Sequence, residues 1–170
     1  MFSAIDKFLI GLYTLCGYLA AVCLFMICPM VLANIIGRWI GVFVPGTNEI
    51  GGYLMAGAGT LGFAYTFGLN GHIRVSMLTD LLPGAMRWWV EVASLAVSAA
   101  FVGYLAWHSV DMVLLSFEYH DRSSGTDNML FWVAQTPMVA GLVVFAIALI
   151  HGLIAAIAAH RAVYPERDVL

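Results

Sequence analysis

Charge is what this sequence has least of. Only 10% of its 170 residues are charged and 62% are hydrophobic, where a soluble domain carries roughly 25% charged residues. With a mean hydropathy of +0.93, water is excluded as the solvent for most of its surface. Net charge is −3, and no basic cluster with interleaved aromatics is present, so no nucleic-acid partner is expected. Cysteine is scarce: Cys16, Cys23 and Cys28 stand in one apolar stretch with no Cys-x-x-Cys pair. That is neither a disulfide framework nor a thiolate metal site, and the three read as small apolar residues. The five histidines include no His-x-x-x-His pair, so zinc chemistry of that type is absent. Gly57-Ala58-Gly59 lacks the lysine of a phosphate loop and lies in an apolar run. His120, Ser123 and Ser124 share a loop in which no acid, base and oxyanion donors can be assembled. No enzyme activity, metal or cofactor is expected.

Long uncharged runs are what the sequence does have. A membrane-spanning helix needs about 20 apolar residues. Gaps between charged residues run from Lys7 to Arg38, from Glu91 to Asp111 and from Asp127 to Arg161, and a further uncharged run extends from Glu49 to His72. They predict a single all-α integral membrane domain over residues 1–170, a four-transmembrane-helix bundle with spans near 8–36, 50–70, 90–110 and 130–159. The first run exceeds the hydrocarbon thickness, so its helix should tilt or project, with Pro29 as a possible kink. It is about twice the length of a signal peptide's apolar core and reads as a retained helix.

Basic residues in the short connections orient the spans. With both termini cytoplasmic, Lys7, Arg74, Arg87, Arg161 and Arg167 fall inside, and Arg38 and Arg122 outside. Trp39, Trp107 and Trp132 then mark the outer interface, and Trp88, Trp89 and Tyr164 the inner one. No span carries Lys, Arg, Asp or Glu near its middle, which argues against an ion pathway within this chain alone. Asn34 and Gln135, near the outer end, are read as hydrogen-bonding to neighbouring helices. Gly52, Ala56, Thr60, Ala64 and Gly68 form a ladder of small residues at four-residue steps. Small residues let helix backbones approach closely, so this helix should pack tightly against its own bundle or a partner.

Three local patterns carry a family resemblance. Helix one closes on Asn34-Ile35-Ile36-Gly37-Arg38-Trp39, a short loop ends in Asn48-Glu49-Ile50, and after helix two comes Gly71-His72-Ile73-Arg74-Val75. With Trp132, Pro137 and Gly141 at the entry to helix four, the chain resembles the small membrane (Q) subunit of tripartite ATP-independent periplasmic (TRAP) transporters. It departs from that pattern at Ser76, where the family commonly has Asp. Leu69 and Asn70 stand where a basic residue is common, and Gly71 directly precedes His72.

The resemblance implies a non-catalytic subunit in the bacterial inner membrane. Its partners would be a large membrane subunit, which it braces, and a periplasmic substrate-binding protein, which it helps to dock. The transporter would be a symporter driven by an ion gradient, usually sodium, and would take up small carboxylate solutes. Asn34, Arg38, Glu49, Gly52, Ala56, Thr60, Ala64, Gly68, Gly71, His72 and Arg74 are then candidate interface or structural residues. Arg38 and Glu49 are placed to pair across the outer loop, and Glu118 and Asp121 are candidates for docking the binding protein. The alternative is a respiratory membrane-anchor subunit binding haem or quinone. His108 and His151 sit at different depths, which weighs against a shared haem; His72 and His151 lie closer.

Overall fold

In a hydrocarbon solvent every backbone N–H and C=O must be satisfied within the chain, so uninterrupted apolar runs become helices. The computed structural model of the protein describes residues 2–68, 84–123 and 128–159. Those residues form α1 (Phe2–Trp39), α2 (Thr47–Gly68), α3 (Gly84–Glu118) and α4 (Phe131–Ala159). At 1.5 Å per residue, α1 is about 57 Å long and α2 about 33 Å. α1 runs through Pro29 as one helix. α3 starts before and ends after the predicted span, because Glu91 and Asp111 lie within the helix and do not end it. Charge marks where a helix leaves hydrocarbon, and backbone hydrogen bonding carries on beyond that point. Thr14, Thr60, Thr66 and Thr136 each turn their hydroxyl back onto the carbonyl four residues earlier, which satisfies the group where no water is at hand.

Length and composition suit three of the helices to cross a membrane, over Asp6–Trp39, Met86–Glu118 and Phe131–Ala158. α2 is not among these. Its 22 residues are enough for about 30 Å of hydrocarbon, but six of them are glycine, and these dilute its apolar character.

The helices pack as an open row in the order α1, α2, α4, α3. α1 and α4 barely touch, and α3 rests on α4. Tyr13 meets Gly68 and Gly17 meets Tyr65, so α1 and α2 run antiparallel with ring and glycine exchanged across the joint. α2 and α4 run parallel: Gly57 faces Pro137, Leu61 faces Gly141, and Phe67 faces Gly152. Trp88 Nε1 donates to the Ala156 carbonyl at 3.0 Å at one end of α3 and α4, and Phe117 meets Trp132 at the other. The first residues of α1 and the last of α4 therefore share one end of the row.

Two small cores result. Cys16, Ala20, Leu61 and Ala64 form one, and Leu95, Ala99, Leu149 and Ala156 the other. Phe145 packs against both and lies 5.7 Å from Phe63 and 6.1 Å from Phe67 between ring centres. Large side chains such as Phe8, Tyr18, Phe25, Val97 and Phe101 point outward. Apolar exposure along whole helices far exceeds the patches a water-soluble monomer tolerates and fits lipid or a partner helix.

Candidate partner-binding surfaces

The corner between α1 and α2 is fixed by glycine. Gly41 adopts φ 73° and lets the Val42 N–H reach back to the Gly37 carbonyl at 2.8 Å, a Schellman cap that ends α1. A Cβ on Gly37 would stand 2.8 Å from the Val42 carbonyl oxygen, so the folded-back strand needs that position bare. Gly46 (φ 76°) turns the chain again, and its carbonyl accepts the Ile50 N–H to open α2.

This double turn brings the predicted outer residues together. Asn34 Nδ2 donates to Thr47 Oγ1 at 2.6 Å and, at 3.4 Å, to Asn48 Oδ1. Its carbonyl oxygen is left facing Arg38, whose guanidinium donates to it at 3.4 Å. Arg38 and Glu49 line one open cleft of about 490 Å³ with Asn34, Thr47 and Asn48. The guanidinium hydrogen bond goes to Asn34, and the two charges share the cleft. Asn34 thus makes the cross-helix bond expected of it. Gln135 does not: its Oε1 is buried without a hydrogen-bond partner among the described residues.

The small-residue ladder does not lie on one face. Four residues turn an α-helix by about 400°, so each step drifts about 40°, and Gly68 sits roughly 160° around from Gly52. Burial follows that drift: Gly52 and Ala56 are exposed, Thr60 is half-buried, and Ala64 is fully buried at 0%. Gly68 lies against the Tyr13 ring. Gly57, Ala58 and Leu61 accompany Ala64 on the packed side. Gly52, Met55, Ala56, Gly59, Phe63 and Thr66 share the opposite, open side, in the middle of the row between α1 and α4.

At the same end as the α1–α2 corner, α3 closes with a second Schellman cap. His120 takes φ 51° and the Asp121 N–H reaches the Ser116 carbonyl at 3.1 Å. The chain then pairs with itself through Ser123 N–H to the Met129 carbonyl and Phe131 N–H to the Asp121 carbonyl. Tyr53 Oη and Ser123 Oγ, 3.1 Å apart, join this loop to α2. Glu118 is the last residue of α3 and Asp121 follows the cap; both are exposed.

Sequence reading missed two polar features at the opposite end. Asp6 Oδ1 and His151 Nε2 are 3.1 Å apart, joining α1 to α4 past the end of α2. Glu91 is buried in α3, one turn after Trp88. Neither is visible as a motif, because each depends on which helices become neighbours. His108 lies against Tyr104 on an exposed face. Counted from the Phe117–Trp132 contact, it and His151 differ by about 15 Å in depth, and from the Trp88–Ala156 contact by about 22 Å, too far for two axial ligands of one haem. Gly71, His72 and Arg74 lie outside the described residues.

Long apolar rods packed as an open row define an all-helical membrane protein over the described residues. Residues 27–159 match the family described as Tripartite ATP-independent periplasmic transporters, DctQ component. With well over half of its length matched, the chain belongs to that family and is a small membrane component of a TRAP transporter. No curated protein matches the sequence.

Proposed function

We propose that this chain crosses the inner membrane four times with both termini cytoplasmic, braces the large transport subunit, and helps dock the periplasmic binding protein. On this reading, uptake is driven by an ion gradient, usually sodium, and serves small carboxylate solutes, as the family resemblance implies. The observation that carries the bracing role is the open side of α2. A glycine-rich, weakly apolar helix at the centre of a row gains little from lipid contact. A partner helix fitted against Gly52, Ala56 and Gly59 gains close backbone packing. The short α2 keeps pace with α1 and α4 along its length, which supports a fourth crossing. Glu118 and Asp121, at the end opposite the first residues of α1 and the last of α4, then face the periplasm, where charge sets encounter rate and orientation of the binding protein.

The test is co-purification. Ala56→Leu and Gly59→Leu should leave the isolated chain folded and reduce recovery of the large subunit. Bulk added at Phe25 or Val97, on outward faces of α1 and α3, should have no such effect. Full recovery with both α2 variants overturns the bracing role. Vesicles holding this chain alone should show no solute uptake under a sodium gradient, and uptake above empty vesicles overturns the non-catalytic reading.

A further inference from the structure

The cleft at the α1–α2 corner joins three properties that a simple turn does not need. The first is a positioned cation. Asn34 is pinned by Thr47 and Asn48, so its carbonyl oxygen is aimed, and Arg38 is held by it through one long hydrogen bond of 3.4 Å. A guanidinium carries five N–H donors, which leaves most of them for a ligand. The second is an anion in the same cleft: Glu49 lines it from the first turn of α2. The positive end of the helix dipole lies at that turn. The third is apolar surface at the cleft: Phe43 lines it and is 77% exposed, and Trp39 and Ile40, next in the chain to lining Arg38 and Gly41, are 86% and 69% exposed. Exposed Trp and Phe beside Arg at a helix end is the composition of a membrane interface.

A ligand that matches all three carries a phosphate, an amine and acyl chains. We propose that this cleft binds the headgroup of a phosphoethanolamine lipid. Arg38 takes the phosphate, Glu49 accepts from the primary ammonium, and Trp39 and Phe43 lie along the start of the chains. A choline headgroup has no N–H to donate to Glu49. An anionic glycerol headgroup offers Glu49 no cation. Asn34 acts as a positioning residue for Arg38. This site requires only that the corner lie at a bilayer surface, and stands apart from the bracing and docking roles.

The experiment is native mass spectrometry of the delipidated full chain, titrated separately with phosphatidylethanolamine, phosphatidylcholine and phosphatidylglycerol. The expected result is preferential retention of phosphatidylethanolamine. Arg38→Gln should weaken that binding about tenfold, the scale of one lost charge-assisted contact, and Arg38→Lys should recover part of it. Glu49→Gln should erase the preference over phosphatidylcholine while leaving total lipid binding largely intact. This ratio tests the site even if Arg38→Gln impairs folding. Equal binding of the three lipids, or a preference unchanged in Glu49→Gln, overturns the proposal. Displacement by soluble glycerophosphoethanolamine at concentrations equal to the lipid overturns a lipid as the source. Photo-crosslinks from position 43 that reach only protein in the assembled complex show the cleft to be a subunit joint and overturn it likewise.

Discussion

At Gly141 the backbone of α4 comes close to that of α2, and adding one methyl group there is a sharp test of the row. A Cβ on Gly141 would stand 2.5 Å from the Leu61 backbone nitrogen, 2.6 Å from Thr60 Oγ1 and 2.7 Å from the Thr60 carbonyl carbon. Two of these three atoms are backbone, so no rotamer change relieves them. Reaching ordinary contact at 3.4 Å or more requires the helices to part by roughly 1 Å. That movement also loosens the Gly57–Pro137 and Phe67–Gly152 contacts along the same joint. Overpacking of this kind costs about 1–3 kcal/mol. Gly59 lies on the same pair's open side, where a Cβ meets nothing within 4 Å. Both Gly→Ala changes gain the same intrinsic helix preference, about 0.5–1 kcal/mol. The difference between Gly141→Ala and Gly59→Ala therefore isolates the packing cost, about tenfold in the folding equilibrium for each 1.4 kcal/mol. Equilibrium unfolding in mixed micelles, followed by tryptophan fluorescence, reads it directly. Equal midpoints for the two variants would refute the α2–α4 contact and with it the row.

Ala64, fully buried against Cys16 and Ala20, should not accept a larger side chain. Ala64→Leu should lower stability by about 1–3 kcal/mol, seen as a lower unfolding midpoint, whereas Gly52→Leu on the open side should not. Removing the amide of Asn34 with Asn34→Leu leaves the buried Thr47 hydroxyl without its 2.6 Å donor. It should cost about 1–3 kcal/mol, while Arg38→Gln, which keeps the Asn34–Thr47 bond, should cost less than 1 kcal/mol in the same unfolding assay. Reporter fusions at Tyr119 and at the C-terminus should signal from opposite sides of the membrane; same-side signals would rule out four crossings. Neutralising Glu118→Gln and Asp121→Asn together should slow uptake at limiting binding protein and flatten its salt dependence, because exposed charges are screened beyond about 10 Å at 0.1 M salt. Unchanged uptake across a binding-protein titration would reduce the pair to solvated surface.

The sequence by itself determined the solvent and the rods. Near-absence of charge and long apolar runs specify helices in lipid, because the backbone has no other partner there. Each uncharged gap overlaps one helix, and α1 and α3 run several residues past their gaps because charged residues such as Lys7, Glu91 and Asp111 do not end a helix. The corner between α1 and α2 was also legible: Asn34, Arg38 and Glu49 are close in the chain, and Pro45 and Gly46 lie in the turn between them. Tertiary structure alone decided which rods are neighbours. The ladder from Gly52 to Gly68 looks like one surface when read at four-residue steps, yet a helix repeats every 3.6 residues. Its ends therefore face opposite ways, and only the positions of α1 and α4 fix which end is buried. The bond from Asp6 to His151 and the burial of Glu91 have the same origin. Each joins residues far apart in sequence, or covers one helix with another, and lipid-facing and helix-facing apolar residues look alike in sequence. Apolar patterning gives no direction when the solvent itself is apolar, so close packing at a few glycines, above all Gly17, Gly68 and Gly141, sets the order of the row.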